Sequence, residues 1–327
     1  MSEKLKYVRE ILGARYEQKA RQKSVEVFMP SNIALIKYWG KRREELNLPL
    51  VSSLSYTLDG YGTRTRLAPA EKDAMEMNGR CLSEGDKEFI KIKEFLDLFR
   101  LKGDFFKVVT ENNIPTAAGV ASSASGFAAL TAAVVAFRGW DLGKKEQSML
   151  ARLGSGSAAR SFWPGLVFWR KGGRDDGMDC YAEPCPLKIG SFKMAVLLLD
   201  RGQKKWSSRE AMKVSLSSSP LAQSWPVEQQ KHLEKSLSAR TFSDLAEVAE
   251  ENAVLLHRML ETSSPSIVYD LPETRVWKAR VRALRRDGFP LWFTQDAGPN
   301  LKLLFPSESG KEIEKLLKTQ KVDYFIV

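Results

Sequence analysis

The sequence predicts an α+β protein built in two lobes, and three observations carry that prediction. Its 327 residues exceed the roughly 250–300 at which a single hydrophobic core stops growing. Strand-like and helix-like segments follow one another without the regular strand–helix–strand alternation of a doubly wound sheet. Around residues 172–186 the composition turns to Gly, Asp, Pro and Cys, which marks a boundary. The chain is therefore expected to divide into an extension over 1–24, a first lobe over 25–187 and a second over 188–327.

The elements follow in order. Leu5, Val8, Ile11, Leu12 and Tyr16 recur at helical spacing among Lys, Arg and Glu, which predicts a basic amphipathic helix whose apolar stripe packs on the body. Residues 25–28, just before Pro30, and the alternating run 62–67 read as strands. Phe89, Ile92, Phe95, Leu96 and Phe99 mark a helix, and 105–109 is a strand leading into a Gly/Ser run. The alanine-rich stretch 126–137 reads as a buried helix, 144–153 as another, and 166–169 as a strand. The second half opens on a strand at 194–199, followed by helices over 208–216, 226–238, 241–261 and 273–287. Strands at 290–294 and 301–305 flank Asp296-Ala-Gly-Pro-Asn300, and a helix over 310–319 and a strand over 322–327 end the chain.

With 43% hydrophobic and 28% charged residues the composition is that of a folded protein. A net charge of +11 favours nucleic acid, anionic membranes or phosphorylated small molecules. The basic runs Lys41-Arg42-Arg43, Lys204-Lys205 and Arg285-Arg286 are short and scattered, unlike the interleaved basic and aromatic tracts of nucleic-acid binders. Cys81, Cys180 and Cys185 form no CxxC pair and His232 and His257 are the only histidines, which argues against a zinc site and a Ser-His-Asp triad. The low, odd cysteine count suits a reducing cytoplasm. No apolar run approaches the roughly 20 residues that span a bilayer, so a soluble cytoplasmic protein is expected.

The segment Pro115-Thr-Ala-Ala-Gly-Val-Ala-Ser-Ser-Ala-Ser125 lies between a strand and a buried helix. Its small residues let the backbone approach a ligand closely, and the N–H groups at the helix start suit phosphate oxygens. Ser122, Ser123 and Ser125 add hydroxyls for phosphate or magnesium. The run matches neither G-x-x-x-x-G-K-[ST] nor G-x-G-x-x-G, and taken alone it leaves a close-packed turn as the lesser alternative.

Three further blocks accompany it in order: Ser31-Asn-Ile-Ala-Leu-Ile-Lys-Tyr-Trp-Gly-Lys41, Arg152-Leu-Gly-Ser-Gly-Ser-Ala-Ala-Arg160 and Asp296-Ala-Gly-Pro-Asn300. Together the four resemble the mevalonate diphosphate decarboxylase family of the GHMP kinase superfamily, from about residue 25 to near the C-terminus. The resemblance implies an N-terminal lobe like ribosomal protein S5 domain 2 and a ferredoxin-like C-terminal lobe, with the substrate between them. It also implies ATP and magnesium as cofactors, a homodimer, and no nucleic-acid or membrane partner. The family phosphorylates the 3-hydroxyl of mevalonate 5-diphosphate, then loses phosphate and carbon dioxide to give isopentenyl diphosphate.

By resemblance, Asp296 matches the catalytic aspartate that accepts or orients the 3-hydroxyl proton, a task for a carboxylate because the hydroxyl is a poor nucleophile. Arg160 matches the arginine on the substrate carboxylate, where a planar fork pairs with two oxygens. Lys37 matches a cation beside the hydroxyl and carboxylate. Tyr38, Lys41, Ser208 and Arg209 match diphosphate contacts, and Ser155, Gly156 and Ser157 lie against the substrate. Asn113, Pro115, Gly119, Ala121, Ser122, Ser123 and Ser125 match the ATP site, with Asn112 and Asn113 toward adenine. Two positions depart from the pattern: Ala159 stands where cysteine is common, and Gln295 where an aromatic is usual. A phosphomevalonate decarboxylase and a mevalonate-type 3-kinase use the same scaffold and remain alternatives.

Overall fold

The computed structural model describes residues 1–115, 122–200, 202 and 205–327, with the side chain of Ser122 outside that description. The first helix, α1 (Glu3–Leu12), is capped by Ser2, whose Oγ accepts from the Leu5 N–H at 3.3 Å. It buries Tyr7, Val8, Ile11 and Leu12 in the same cluster as Phe89, Phe95, Phe99, Phe106 and Phe137. Helical periodicity thus led to the right face, and that face belongs to the core of the first half of the chain.

Strand β1 (Val25–Ile36) is followed by a short pair, β2 (Lys41–Arg43) and β3 (Leu48–Pro49), and by the long β4 (Ser53–Pro69). β1 runs antiparallel to β4 along nearly its whole length. The sequence predicted a strand ending before Pro30, but it continues to Ile36. Pro30 sits at a register shift, where a missing N–H breaks no regular ladder bond. Opposite lies Gly62, where an added Cβ would fall 2.1 Å from the Met29 carbonyl oxygen, so only glycine lets the strands approach this closely. β5 (Ala74–Met77) and β6 (Arg80–Leu82) form a hairpin on Asn78-Gly79, both at positive φ. That dipeptide is a strong hairpin signal that the strand reading passed over.

α2 (Lys87–Leu96), β7 (Phe106–Asn112), α3 (Ser122–Arg138), α4 (Lys144–Ala151), β8 (Leu166–Trp169) and β9 (Ala182–Pro184) complete the first sheet and its cover. Its order is β6-β5-β7-β4-β8-β9, with β1 also on β4. The second half has a four-stranded sheet from β10 (Phe192–Leu197), β11 (Trp292–Gln295), β12 (Leu301–Pro306) and β13 (Tyr324–Ile326), in the order β11-β12-β10-β13. Its helices are α5 (Ser208–Ser218), α6 (Trp225–Leu237), α7 (Phe242–Glu261), α8 (Pro272–Arg286) and α9 (Gly310–Thr319). The architecture is α+β, as the irregular order of elements predicted.

The two sheets share a core. Ile33, Leu35 and Ile36 of β1 and Leu54 of β4 pack with Met194, Val196 and Leu304 of the second sheet and with Leu245, Ala246 and Ala249 of α7. The C-terminal end of β1 is therefore wedged between the halves, and the residue that follows it, Lys37, enters the space between them.

Candidate active site

Lys37 is 2% exposed. Its backbone N–H donates to Asn252 Oδ1 of α7 at 2.9 Å, and its Nζ donates to the Ala34 carbonyl at 2.7 Å, Thr294 Oγ1 at 2.9 Å and Asp296 Oδ1 at 2.9 Å. Burial pushes its ammonium below the ordinary range, and the Asp296 charge opposes that fall. The second oxygen of Asp296 faces another buried amine, Lys302 Nζ, at 3.4 Å, which also donates to the Asn300 carbonyl at 3.1 Å. Asp296 thus stands on the turn between β11 and β12 with a lysine against each oxygen. A carboxylate so held keeps its direction.

Arg160 closes a 3₁₀ turn over Gly156–Arg160. Its Nε donates to Asn32 Oδ1 at 3.0 Å and one Nη to Ser53 Oγ at 2.9 Å, while Asn32 Nδ2 donates to the Ser157 carbonyl and to Ser161 Oγ. Two of five guanidinium donors are thereby fixed by the first sheet, which aims the fork. Burial lowers its pKa to about 10, so the group is charged at neutral pH.

Tyr38 packs edge-on against Trp169, with ring centroids 4.9 Å apart. Its buried hydroxyl has no hydrogen-bond partner among the described residues, and burial pushes its pKa up, so it is a neutral donor. A Cβ at Gly156 would lie 2.6 Å from that oxygen. Beside it runs a row of hydroxyls, Ser123 to Ser155 at 3.3 Å and Ser155 to Ser157 at 3.1 Å.

α5 begins in a capping box: Ser207 Oγ accepts from the Glu210 N–H, and Glu210 accepts from the Ser207 N–H. This sets Ser208 and Arg209 in the first turn. Lys41 on β2 is held by Glu44 at 2.7 Å. Two residues along β2, Arg43 binds Glu3 at 2.5 Å, which anchors the start of α1. The adjoining Lys4 is half-buried, and its burial, with the Arg209 and Lys41 charges, pushes its ammonium down against the pull of Glu94 and Glu45.

Lys37, Tyr38, Lys41, Ser123, Ser155, Gly156, Ser157, Arg160, Ser208, Arg209 and Asp296 all line one cleft of about 210 Å³. Sequence reasoning missed Asn32, Asn47 and Met212 in its walls, and Lys302 and Thr294 behind it. Lys302 carried a legible signal, a lysine inside the apolar strand Leu301-Lys-Leu-Leu-Phe305. At Ser123 the cleft meets a second cavity of about 340 Å³ between the first sheet and α3, lined by Thr63, Met77, Ile92, Val108, Asn112 and Phe127 among others.

Five of the residues expected at the ATP site do not line this cavity or lie out of view. Asn113 does not line this cavity: its amide binds the Gly60 carbonyl at 2.7 Å and the Gly62 N–H at 2.7 Å, bracing β4, and Asn112 is the residue in the wall. Ser125 is buried and shares a 2.7 Å hydrogen bond with Thr63 Oγ1, tying α3 to β4; two residues on from Ser123, about 200° round the helix, it turns inward. Gly119, Ala121 and the side chain of Ser122 lie outside the described residues. Pro115 precedes that stretch, at the end of the described run.

Residues 29–182 match the diphosphomevalonate decarboxylase-like N-terminal domain, and residues 194–323 the mevalonate 5-diphosphate decarboxylase C-terminal domain. The diphosphomevalonate decarboxylase of Candida albicans is 32% identical over 317 residues, covering 90% of this chain and 87% of that protein. The solved mevalonate diphosphate decarboxylase from Enterococcus faecalis is 36% identical with a TM-score of 0.84, over 93% of this chain and 95% of that one. A solved complex of MDDEF with MVAPP, AMPPCP and magnesium is likewise 36% identical, with a TM-score of 0.85 over the same shares. The chain belongs to the mevalonate diphosphate decarboxylase family.

Proposed function

We propose that the chain decarboxylates mevalonate 5-diphosphate to isopentenyl diphosphate at the expense of ATP. The observation that carries this reading is the Asp296 carboxylate, braced by Lys37 and Lys302, in one cleft with the Arg160 fork and the cations Lys41 and Arg209. Asp296 takes the proton of the 3-hydroxyl as that oxygen attacks the γ-phosphorus of ATP, and the bond from the phosphorus to the bridging oxygen of ADP breaks. The new 3-phosphate departs with the C–O electron pair. The C–C pair to the carboxylate then becomes the double bond as carbon dioxide leaves, with Arg160 orienting the carboxylate until that moment.

Lys41, Ser208, Arg209 and the Tyr38 hydroxyl are assigned to the diphosphate, with Lys4 adding to their field. The cavity between the first sheet and α3 is assigned to the nucleoside of ATP, with Ser123 at its junction with the cleft. No group of three or more His, Cys, Asp or Glu among the described residues could hold a metal. Magnesium keeps several waters and binds through substrate phosphates with few protein oxygens; the hydroxyls of Ser123 and Ser155 would help to hold it, and the ion would offset phosphate charge during transfer.

The division at 187/188, a homodimer and a cytoplasmic location go with this reading. No described helix is long and apolar enough to cross a membrane, and mass measurement in solution tests the dimer. The activity test is steady-state turnover with mevalonate, its 5-phosphate or its 5-diphosphate, each with ATP. Carbon dioxide release from the diphosphate is expected. Release from the monophosphate alone, or phosphorylation with no release, replaces this reading by one of its two relatives on the scaffold.

A further inference from the structure

Behind Asp296, away from the cleft, lies a polar group that the reaction above does not use. His257 of α7 is buried, and its Nε2 sits 3.1 Å from the Asp296 carbonyl oxygen. That oxygen can only accept, so Nε2 carries the hydrogen. Gln295 Nε2 donates to the Gly298 carbonyl at 2.9 Å and to Asp270 Oδ1 at 2.9 Å. Thr274 of α8 donates to the Pro299 carbonyl at 2.9 Å. The carbonyls of Asp296, Gly298 and Pro299 are thus held by side chains. Asp270 in turn is gripped by Lys278 Nζ at 2.6 and 2.9 Å and stands 3.9 Å from His257 Nδ1. A turn followed by Gly and Pro has no helix or ladder to fix it, so these bonds determine where the carboxylate points.

We propose that His257 and Gln295, supported by Asp270 and Lys278, are positioning residues that aim the Asp296 carboxylate by locking the carbonyls of its turn, and that the lock requires a neutral imidazole. The requirement follows from competition for Asp270. A protonated ring would donate from Nδ1 to Oδ1 and compete with Gln295 for the contact that holds its amide toward Gly298. The surrounding charges oppose protonation. Lys278 of α8 and Lys37 after β1 face the ring, against the single carboxylate of Asp270, while Arg258 and Glu261 of its own helix and Arg275 and Arg282 of α8 line the open groove outside it. Burial and these cations lower the imidazole pKa to about 3.

The proposal rests on the decarboxylase reading, and its test separates the two. Parent, His257→Leu, His257→Gln and Gln295→Leu are compared for kcat and KM with the 5-diphosphate and ATP, and for thermal unfolding from pH 4.5 to 8. Absence of turnover by the parent would count against the decarboxylase reading alone. With an active parent, His257→Leu is expected to lower kcat about tenfold or more with KM within twofold. Gln295→Leu is expected to lower kcat roughly fivefold, and His257→Gln, whose amide also donates, to keep kcat within about twofold.

The unfolding data give a readout independent of the substrate. Between about 3 and the 6.5 of an unfolded histidine, the unfolded chain binds a proton that the folded one does not. Stability is therefore complete above that window and falls as pH drops through it. His257→Gln should lose this part of the decline, gaining on the parent by up to about tenfold in folding constant per pH unit. Parent-like kcat in both Leu variants, equal damage in His257→Gln and His257→Leu, or parallel acid declines of parent and His257→Gln would each overturn the proposal. If His257→Leu does not fold, the other two variants decide.

Discussion

The cleft brings together two clusters of charge that are built on opposite principles. Around Asp296, two lysines that are 2% and 1% exposed meet a carboxylate directly, and every partner is fixed by β1, β11 or β12. Around Arg209, the cations Lys4, Lys41 and Arg209 face one another, and what balances them is exposed: Glu44, the partner of Lys41, has a side chain 74% exposed. The first cluster, two buried ammoniums on one carboxylate, is preorganised, as chemistry at a reacting oxygen requires. The second sets its cations against exposed carboxylates, an arrangement suited to holding an anion whose own charge completes it. Removing a member of the first should stop turnover, whereas removing a member of the second should weaken binding.

The largest effect is expected at Asp296. Asp296→Asn keeps the shape but replaces the acceptor between Lys37 and Lys302 with an amide. kcat should fall by about 10²–10⁴-fold, the range for loss of a general base, with KM for the diphosphate little changed. A loss confined to KM would erase the contrast between the clusters. Next is Arg160→Lys, which retains the charge but loses the fork held by Asn32 and Ser53. kcat/KM should drop roughly 100-fold, since Arg and Lys are not interchangeable at a bidentate site.

What could be read beforehand follows the same division. Asp296, Arg160 and Lys37 sit in runs whose resemblance to the family's blocks suggests their work, and strongly patterned helices such as 310–319 could be placed from periodicity alone because one apolar stripe defines them. The lock behind Asp296 could not. His257, Asp270 and Lys278 are separated by up to 21 positions (278 − 257) on α7, a loop and α8, and only packing makes them neighbours. Asn112 and Asn113 differ for a related reason: neighbours at the end of an extended strand turn to opposite sides, and the sequence does not say which side is the cavity. Gln295, read as a departure from the family's pattern, has its amide turned onto Asp270 and Gly298.

A smaller effect tests the wall between the clusters. Gly156→Ala places a Cβ 2.6 Å from the Tyr38 hydroxyl, so the ring must shift from its contact with Trp169. Overpacking of this kind costs about 1–3 kcal/mol, to be read as a lower midpoint in denaturant, and moving Tyr38 should raise KM for the diphosphate several-fold more than it lowers kcat.

The smallest effect is expected at Lys4, and it bears most directly on what the second cluster is for. Its helix is pinned by the Glu3–Arg43 pair and by the Tyr7 hydroxyl donating to the Gly177 carbonyl at 3.2 Å. Lys4→Ala should therefore leave the fold intact while removing one cation near Lys41 and Arg209. A half-exposed ion pair contributes about 0.2–1 kcal/mol, so KM for the diphosphate should rise by roughly 1.5- to 5-fold at low salt with kcat unchanged. The difference from the parent should vanish near 1 M salt, where the screening length falls to about 3 Å. Asp296→Asn should remain inactive at every salt concentration, because buried pairs are screened far less than exposed ones. A Lys4 effect that persists in high salt would mean that this ammonium touches the substrate in a dehydrated contact, which would move it from the second kind of cluster to the first.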